Sequence, residues 1–509
     1  MIPKIEDKPT LMIAGPGAGK THDMVDRIVG AIPDLRPNRI LAAITFTNAA
    51  TDSIREKLQD LAQIPPNVFV GTNYSFFNQF IFLPFASLFD YAGLDRVFLE
   101  IDVRKIVDSI CRNKRNHAVR NEIRKKVINN LLKDGKIPFE QIASVSAKLL
   151  ENARVREVVR NRIQFLFNDE FQDTDTVQLK IFDTIRKGKK TIMYSVGDPE
   201  QYILGFTYDL RSAPKPPFKK IPINRFASGC NKCQLDSNRR ACEQLVEFTN
   251  NFHTSIKQIS KTSPADPAGV FFIAHKSIDT VISKFLELTQ VVIETCENSR
   301  RLFLGYENRT FDGFKEKYGL VPISNDNKRP KSILGESLEL ITSVVQLSPK
   351  GIQDKYNLDA IGHRKLGIKL IKMMISGYLQ TKDELISFIN DDLGLQCQDG
   401  AVNFDSKFEG LKNLLSREEA VRGNNFYSSI HKAKGLEAEC VLVVSKNKKE
   451  LKKWLETDYE ERCKDKADTC RIGYVGFTRA KQMLCVACKQ KIDDSIEEKL
   501  QGLGVNILD

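Results

Sequence analysis

Three acidic side chains follow a short apolar run in the stretch "RIQFLFNDEFQD" (162–173). Asp169, Glu170 and Asp173 would repel one another, so this spacing calls for a cation or a cationic substrate nearby. The apolar run predicts a buried strand, and open α/β sheets bind ligands at the carboxyl ends of their strands. We expect Asp169 to hold Mg²⁺, directly or through water, and Glu170 to position or deprotonate an attacking water. Taken alone, the stretch is also compatible with an acidic loop after a strand.

A glycine-rich turn far upstream supplies a partner for this acidic cluster. "TLMIAGPGAGKT" (10–21) predicts a strand that runs into the turn, and "MVDRIVGAI" (24–32) follows with helical spacing. Strand, glycine loop and helix form the context of a P-loop, in which backbone N–H groups cradle phosphate oxygens. Lys20 would contact the β- and γ-phosphates of ATP, and the Thr21 hydroxyl would ligate Mg²⁺. A glycine-rich turn with a chance Lys-Thr is the alternative. The residues expected to surround the nucleotide are Ala14, Gly15, Gly17, Gly19, Lys20 and Thr21.

Eight motifs along the chain resemble, in order, those of superfamily 1A helicases of the UvrD/Rep/PcrA type. They are "AGPGAGKT" (14–21), "TFTNAATDSIREKL" (45–58), "FVGTNYSFF" (69–77), "DEFQD" (169–173), "VGDPEQYILGF" (196–206), "LDSNRR" (235–240), "SSIHKAKGLEAECVLV" (428–443) and "RIGYVGFTRAK" (471–481). The family P-loop also begins with Ala-Gly, which accounts for Ala14 where the strict phosphate-loop pattern has glycine. The resemblance implies a DNA-stimulated ATPase and DNA helicase that uses ATP and Mg²⁺ and moves 3′ to 5′.

The resemblance also implies roles for side chains beyond the P-loop. Arg240 and Arg479 would contact the γ-phosphate, since the planar guanidinium stays charged and binds phosphate bidentately. Gln201 would contact the γ-phosphate and the attacking water. Gly435 and Glu437 would approach the nucleotide from the second lobe. The alternatives are a surface ion pair for either arginine, a solvent-facing side chain for Glu437 and an ordinary turn residue for Gln201.

DNA contacts are expected along a groove across both lobes, on single-stranded or duplex-end DNA. Phe206 stands where the family stacks a base, with Phe46 and Tyr74 as secondary candidates, although core packing is the commoner fate of an aromatic ring. Thr45, Asn48, Thr72, Asn73 and His431 are the candidates for contacts to the DNA backbone. The formal net charge of +12 and the pI of about 9.0 fit a polyanionic partner.

Several positions depart from the family pattern. No glutamine precedes "TLMIAG", where the family reads adenine, so adenine specificity stays open. Ala49 and Thr207 replace cations, and Tyr202-Ile203-Leu204 replaces Ser-Ile-Tyr, which should weaken coupling to DNA. Cys230/Cys233 and Cys485/Cys488 form two C-x-x-C pairs, for which we expect no metal because a shared site needs about four converging ligands. The eleven scattered cysteines indicate a reducing cytoplasm.

The alternation of strands and helical segments predicts an α/β fold with two RecA-like P-loop NTPase lobes, each with a mainly helical insertion. The expected ranges are 1–80 and 160–210 for lobe 1A, 81–159 for insertion 1B, 211–325 and 424–509 for lobe 2A, and 326–423 for a reduced insertion 2B. No apolar stretch reaches the length of a membrane span.

Compactness and motif spacing resemble the helicase-like subunits of Gabija anti-phage systems. This implies a partner chain, a Gabija A-like nuclease of the OLD/TOPRIM type. Two interpretations remain open: a translocase that unwinds DNA, and an ATPase that senses DNA ends or single strands and regulates the nuclease without productive unwinding. The apolar segment 336–379 leads us to predict that the helical insertions, rather than the lobes, dock the partner. The activating DNA structure and the oligomeric state stay open.

Overall fold

The computed structural model describes residues 9–88, 103–111, 117–133, 137–138, 141–204, 216–295, 299–323, 333–345, 347, 349–397, 404–416 and 424–508. The chain forms two compact units, one of Met1–Ile323 with Asn424–Asp509 and one of Ser324–Gly423. Phe206 and Thr207 lie outside the described residues. In the described part, no helix is both long enough and apolar enough to cross a bilayer.

The first sheet consists of six parallel strands in the order β3-β2-β4-β5-β1-β6. Its strands β1 and β2, each next to an edge strand, are buried throughout, as parallel strands covered on both faces must be. The strands are β1 (Thr10–Ala14), β2 (Ile40–Thr45), β3 (Val68–Thr72), β4 (Ile163–Asn168), β5 (Ile192–Gly197) and β6 (Asn231–Leu235).

Strand β6 corrects the expected domain ranges, which placed residues from 211 onward in the second lobe. It pairs with β1 along its whole length and so belongs to the first sheet. Its sequence "NKCQL" is mostly polar, and it lies at the sheet edge with its three central residues exposed. An edge strand of this composition has no apolar pattern, so it could not be predicted from the sequence.

The second sheet has seven strands in the order β11-β12-β10-β13-β14-β9-β15, all paired in parallel. A separate two-stranded ladder, β7 (Ser237–Asn238) with β8 (Ile259–Ser260), precedes it in the chain. The strands of the second sheet are β9 (Gly269–Ala274), β10 (Arg301–Gly305), β11 (Val321–Pro322), β12 (Asn425–Ser429), β13 (Ala438–Ser445), β14 (Ala480–Cys488) and β15 (Asn506–Leu508).

Helices cover the sheets of the first unit and build the second unit. They are α1 (Lys20–Ala31), α2 (Asn48–Leu61), α3 (Asn73–Phe77), α4 (Leu83–Phe85), α5 (Val103–Cys111), α6 (His117–Lys133), α7 (Ile142–Leu149), α8 (Ala153–Arg162), α9 (Thr176–Arg186), α10 (Pro222–Ala227), α11 (Glu243–Asn250), α12 (Ile278–Leu288), α13 (Gln290–Thr295), α14 (Ile333–Val345), α15 (Pro349–Lys355), α16 (Ala360–Ile375), α17 (Lys382–Ser387), α18 (Phe404–Ser416), α19 (Lys448–Trp454), α20 (Tyr459–Lys464), α21 (Thr469–Phe477) and α22 (Asp494–Gly502). Two π-helical stretches span Asn78–Phe82 and Phe388–Asp392.

The second unit is helical and has its own apolar core. Leu340, Ile341 and Val344 of α14 are buried in it, together with Leu366 and Leu370 of α16. Both helices bury one face in this way, so the apolar residues noted in the sequence divide into a packed face and an exposed one.

Candidate functional site

The phosphate-loop residues, the acidic cluster and Gln201 all follow strands of the first sheet. The P-loop follows β1, Asp169 and Glu170 follow β4, and the turn with Gln201 follows β5. Because β1, β5 and β4 are parallel neighbours, their carboxyl ends meet at one edge of the sheet. The edge therefore gathers groups that lie far apart in the chain.

The glycine loop has the shape of a phosphate cradle. Gly17 and Gly19 adopt left-handed conformations with φ of 70° and 82°, and α1 begins at Lys20. Lys20 Nζ donates to the carbonyl oxygens of Ala14 and Gly15, at 3.3 Å each. Among the described residues, a Cβ built on Gly19 would meet nothing within 4 Å. The helix N-terminus, the ammonium group and this open side fit the phosphates of a nucleotide.

Thr21 and Asp169 form the pair that fits a divalent cation. Thr21 Oγ1 donates to Asp169 Oδ2 at 3.5 Å, which brings a hydroxyl and a carboxylate oxygen together beside Lys20. Oxygen ligands of this kind are those that Mg²⁺ prefers. Burial raises the pKa of Asp169 to about 7, and the neighbouring charge of Glu170 adds to the rise.

Glu170 is held in an uncommon conformation. Its backbone is left-handed, with φ 50° and ψ 43°, although it is not glycine. Gln172 Nε2 donates to the Glu170 carboxylate, while Gln172 Oε1 accepts from the N–H of Asp198 at 2.9 Å. Burial alone would raise the pKa of Glu170, but the charges of Lys20 and Lys434 outweigh it, so the pKa lies below its ordinary value. Glu170 is therefore ionised at neutral pH.

Lys434, which follows β12 of the second sheet, joins the acidic cluster. Its Nζ lies 2.5 Å from both carboxylate oxygens of Asp173 and 4.0 Å from Glu170 Oε2. Burial raises the pKa of Asp173 to about 6 although Lys434 opposes the rise. Lys434 was not among the site residues predicted from the sequence. Its place within the motif "HKAKGLE", two residues before Leu436, could have identified it as a candidate.

A second connection between the sheets runs through Gln201. Arg479 Nη2 donates to Gln201 Oε1 at 3.4 Å, and Gln201 Nε2 donates to Asp198 at 2.8 Å. His253 Nδ1 accepts from two backbone N–H groups, so its proton lies on Nε2 and faces Asp198 at 3.1 Å. Burial alone would raise the pKa of Asp198, but the interaction with His253 holds the pKa at about 2. His253 has no motif of its own, and sequence reasoning missed it.

The remaining residues expected at the nucleotide are Arg240, Arg479, Gly435 and Glu437. Arg240 Nε is 2.5 Å from Glu437 Oε2, and Lys481 also pairs with Glu437 at 3.2 Å. Burial lowers the pKa of Arg479 to about 10, with the charge of Arg240 adding to the effect, so Arg479 stays protonated at neutral pH. Gly435 is exposed and left-handed, with φ 83°.

The expected DNA-contact residues are placed unevenly. Thr45 is a correction: it is fully buried, and its hydroxyl bonds to Thr51 and to the carbonyl of Thr47, so it supports a turn instead of facing a ligand. Thr72 caps α3, and Asn73 is buried. The others divide between exposed positions and partly covered ones. Phe46 and Asn48 are exposed, whereas Tyr74 packs near Phe77 and His431 near Tyr306.

Two family models match the chain. Residues 2–132 and 100–213 match the UvrD/REP helicase N-terminal domain, and residues 354–491 match the UvrD-like helicase C-terminal domain. The chain belongs to the UvrD/Rep helicase family. It is thereby an enzyme of the ATP-hydrolysing DNA helicase class, and the predicted family and α/β fold with two RecA-like lobes are confirmed.

Relatives of this UvrD/Rep chain fall into two groups. Gabija protein GajB of Bacillus cereus (strain VD045) is 23% identical, over 97% of this chain and 96% of the relative. A probable DNA helicase II homolog of Mycoplasma capricolum is 26% identical over 48% of this chain, and the ATP-dependent DNA helicase PcrA of Staphylococcus aureus is 25% identical over 51%. The alignments cover 39% and 40% of these two relatives, about two fifths of their lengths.

Proposed function

We propose that this chain is an ATP-driven DNA translocase that moves 3′ to 5′, unwinds duplex DNA and acts with a nuclease in anti-phage defence. The observation that carries the proposal is the convergence of side chains from both sheets on one phosphate loop. Lys20, Glu170 and Gln201 come from the first sheet, and Lys434 and Arg479 come from the second. A nucleotide bound there would contact groups of both lobes.

The residues of the site divide the work of hydrolysis. Lys20 and the N-terminus of α1 would bind the phosphates. Mg²⁺ held by Thr21 and Asp169 would offset phosphate charge when bound. Glu170, ionised and hydrogen-bonded by Gln172, would accept a proton from the attacking water. Arg479, buried and charged, would stabilise the negative charge that develops on the phosphate.

The same contacts support coupling between hydrolysis and movement. Asp173 and Glu170 follow the same strand, and Lys434 pairs with the first at 2.5 Å and approaches the second to 4.0 Å. Gln201 accepts from Arg479. A change in the charge around the catalytic carboxylates therefore acts directly on two links between the sheets. Breaking or forming these links with each nucleotide cycle would couple hydrolysis to movement between the sheets.

The partner part of the proposal rests on the second unit and on the likeness to GajB along almost the whole of both chains. Ile361, Ile368 and Ile375 recur every seven residues on α16 and are 63%, 43% and 69% exposed. Lys365 and Lys372 lie between them and are exposed as well.

This exposed face of α16, here called the Ile/Lys stripe (Ile361, Lys365, Ile368, Lys372 and Ile375), favours one kind of partner. Helix α16 contains no Asp or Glu, so the stripe consists of apolar side chains and positively charged ones. Three large isoleucine side chains would gain no favourable interaction from a phosphate backbone, which argues against nucleic acid as the partner of this stripe. A nuclease subunit with an apolar centre and an acidic rim would complement it.

The second candidate is a DNA-sensing ATPase that regulates the nuclease without productive unwinding. It is favoured by the residues after Gln201, where the family pattern has Ser-Ile-Tyr. Tyr202 and Ile203 are both buried in the cores here, so neither side chain is on the surface to contact DNA. Stimulation of ATP turnover by DNA would then signal the presence of DNA to the nuclease instead of driving movement along the DNA.

A strand-displacement assay decides between the two candidates. Duplexes with a 3′ or a 5′ single-stranded tail are incubated with ATP and the chain, with and without the nuclease encoded beside it. Displacement from 3′-tailed duplexes supports the translocase. ATP turnover that rises with DNA but displaces no strand from either duplex, with or without the nuclease, supports the sensor. Lys20→Ala is the control for both readouts.

A further inference from the structure

The two-stranded ladder of β7 and β8 lies against the phosphate loop. The N–H of Arg239 donates to the carbonyl of Gly17 at 2.9 Å. The side-chain amides of Asn238 and Gln258 both donate to the carbonyl of Pro16, at 3.0 and 3.1 Å. Three hydrogen bonds thus hold the Pro16 and Gly17 carbonyls of the loop.

Gln258 is fixed at both ends of its side chain. It is 7% exposed, and its Oε1 accepts from Asn238 Nδ2 at 3.2 Å. Its Nε2 also lies 3.4 Å from the carbonyl of Ser237. The backbone N–H and C=O of Gln258 both bond to the side chain of Asn250, at 2.8 Å. The amide therefore has a single orientation, with its donor group towards the loop.

The loop glycines show how closely the side chains of Asn238 and Gln258 approach the phosphate loop. A Cβ on Gly15 would lie 2.7–2.9 Å from three atoms of the Gln258 amide, and a Cβ on Gly17 would lie 2.5 Å from Asn238 Oδ1. A Cβ atom does not come this close to a non-bonded heavy atom, so a side chain at either position would force its neighbour to move. Two of the three loop glycines therefore make room for the ladder, whereas Gly19 faces open space among the described residues.

Asn238 extends the contact to an expected phosphate ligand. Its Oδ1 accepts from the N–H of Arg240 at 2.9 Å and from the N–H of Ala241 at 3.0 Å. One amide pair, Asn238 and Gln258, thus connects the Pro16 carbonyl with the backbone that carries Arg240. A shift of the loop would therefore displace the Asn238–Gln258 pair and, with it, the backbone of Arg240.

We propose that Gln258 is a positioning residue for ATP hydrolysis, which holds the Pro16 carbonyl and so fixes the phosphate loop relative to Arg240. The inference rests on nucleotide binding at this loop. Loss of one such hydrogen bond should loosen the loop and raise the KM for ATP about threefold to tenfold, with a smaller change in kcat.

The decisive variant is Gln258→Glu, which keeps the volume of the side chain but replaces the donor that faces Pro16 with an acceptor. We expect Gln258→Glu and Gln258→Ala both to raise the KM for ATP and to weaken binding of a fluorescent ADP analogue. Gln59→Ala, which removes an exposed glutamine of α2, is the matched control and should leave both unchanged. A Gln258→Glu chain with parental KM and ADP affinity would overturn the proposal.

Gly15→Ala tests the approach itself. We expect this variant to melt at a lower temperature than the parent. The double variant Gly15→Ala/Gln258→Ala should recover the parental melting temperature, while the affinity of the double variant for the ADP analogue stays low. Parental stability of Gly15→Ala would contradict the close approach of Gln258 to the loop. Full recovery of affinity in the double variant would show that Gln258 only packs against the loop. Absence of ATP turnover in the parent would count against the proposed function, and the ADP measurements would still test Gln258.

Discussion

At the scale of single residues, Glu170 depends on a backbone conformation that non-glycine residues rarely adopt. Its left-handed φ of 50° and the hydrogen bond from Gln172 aim the carboxylate, and its lowered pKa keeps it charged. Lys20 is the other group whose charge the site cannot replace. Their roles in catalysis remain predictions, which single substitutions test.

Glu170→Gln should lower ATP turnover by about 10²–10³ while nucleotide still binds, because the amide cannot accept the proton. Lys20→Ala should lower turnover similarly and also weaken binding. Steady-state phosphate release and nucleotide titration measure the two effects. Glu157→Gln removes an exposed carboxylate and should behave as the parent does. Near-parental turnover of Glu170→Gln would place the general base elsewhere.

Asp173 predicts a pH dependence of stability. Its pKa is raised to about 6 from an ordinary value of about 3.9, so the folded chain binds this proton more tightly than the unfolded chain. The stabilisation is complete below about pH 4 and is lost as the pH rises through 6. The melting temperature of the parent relative to Asp173→Asn should therefore fall between pH 4.5 and 7. In Lys434→Met the fall should move to higher pH, because Lys434 lowers this pKa. A difference that does not vary with pH would contradict the assignment.

Glu200 predicts a large effect on stability. It is fully buried and pairs with Arg462 at 2.9 Å and with Arg471 at 3.4 Å, both fully buried too. Removing one partner of a buried ion pair leaves uncompensated charge and costs about 3–5 kcal/mol. Glu200→Gln should therefore lower the free energy of unfolding in urea by about that amount. Glu460→Gln breaks an exposed pair with Lys219 and should cost far less, because both side chains remain in water. Equal effects of the two variants would argue against the buried cluster.

At the scale of elements, the sequence was informative where an element carries its own pattern. Strands β1 and β4 follow from apolar runs, and the P-loop follows from glycines at fixed spacing between a strand and a helix. Strand β6 does not, because its polar residues gain a place in the sheet only by pairing with β1. Gln258 lies 242 residues from Pro16, and no local pattern predicts a contact between positions so far apart.

The Ile/Lys stripe on α16 predicts where the partner docks. Ile368→Glu should weaken co-purification with the proposed nuclease partner at least tenfold, since it places a charge in the apolar centre of the proposed interface. Leu61→Glu alters an exposed leucine of α2 in the first unit and serves as the matched control. Loss of the complex with Leu61→Glu alone, or sedimentation of the parent as a partnerless monomer, would refute the docking proposal.

At the scale of the whole molecule, the net charge of +12 predicts a strong effect of salt. Single-stranded DNA should stimulate ATP turnover, and the stimulation should fall steeply with salt because cations released from the DNA return to it. Phe206→Ala should reduce the stimulation more than it reduces basal turnover, through loss of base stacking. Turnover measured against DNA at several salt concentrations tests both. An ATPase indifferent to DNA and to salt would contradict a role on DNA.

Glu200 and Gln201 are consecutive in the chain, yet they are tied to the second sheet in opposite ways. The first is locked by two fully buried arginines, whereas the second accepts a single bond of 3.4 Å from Arg479. A small movement between the two sheets would act differently on these two neighbouring residues. We expect it to break the Arg479–Gln201 bond first and to leave the Glu200 cluster intact, so that Glu200 keeps the end of β5 joined to α20 and α21.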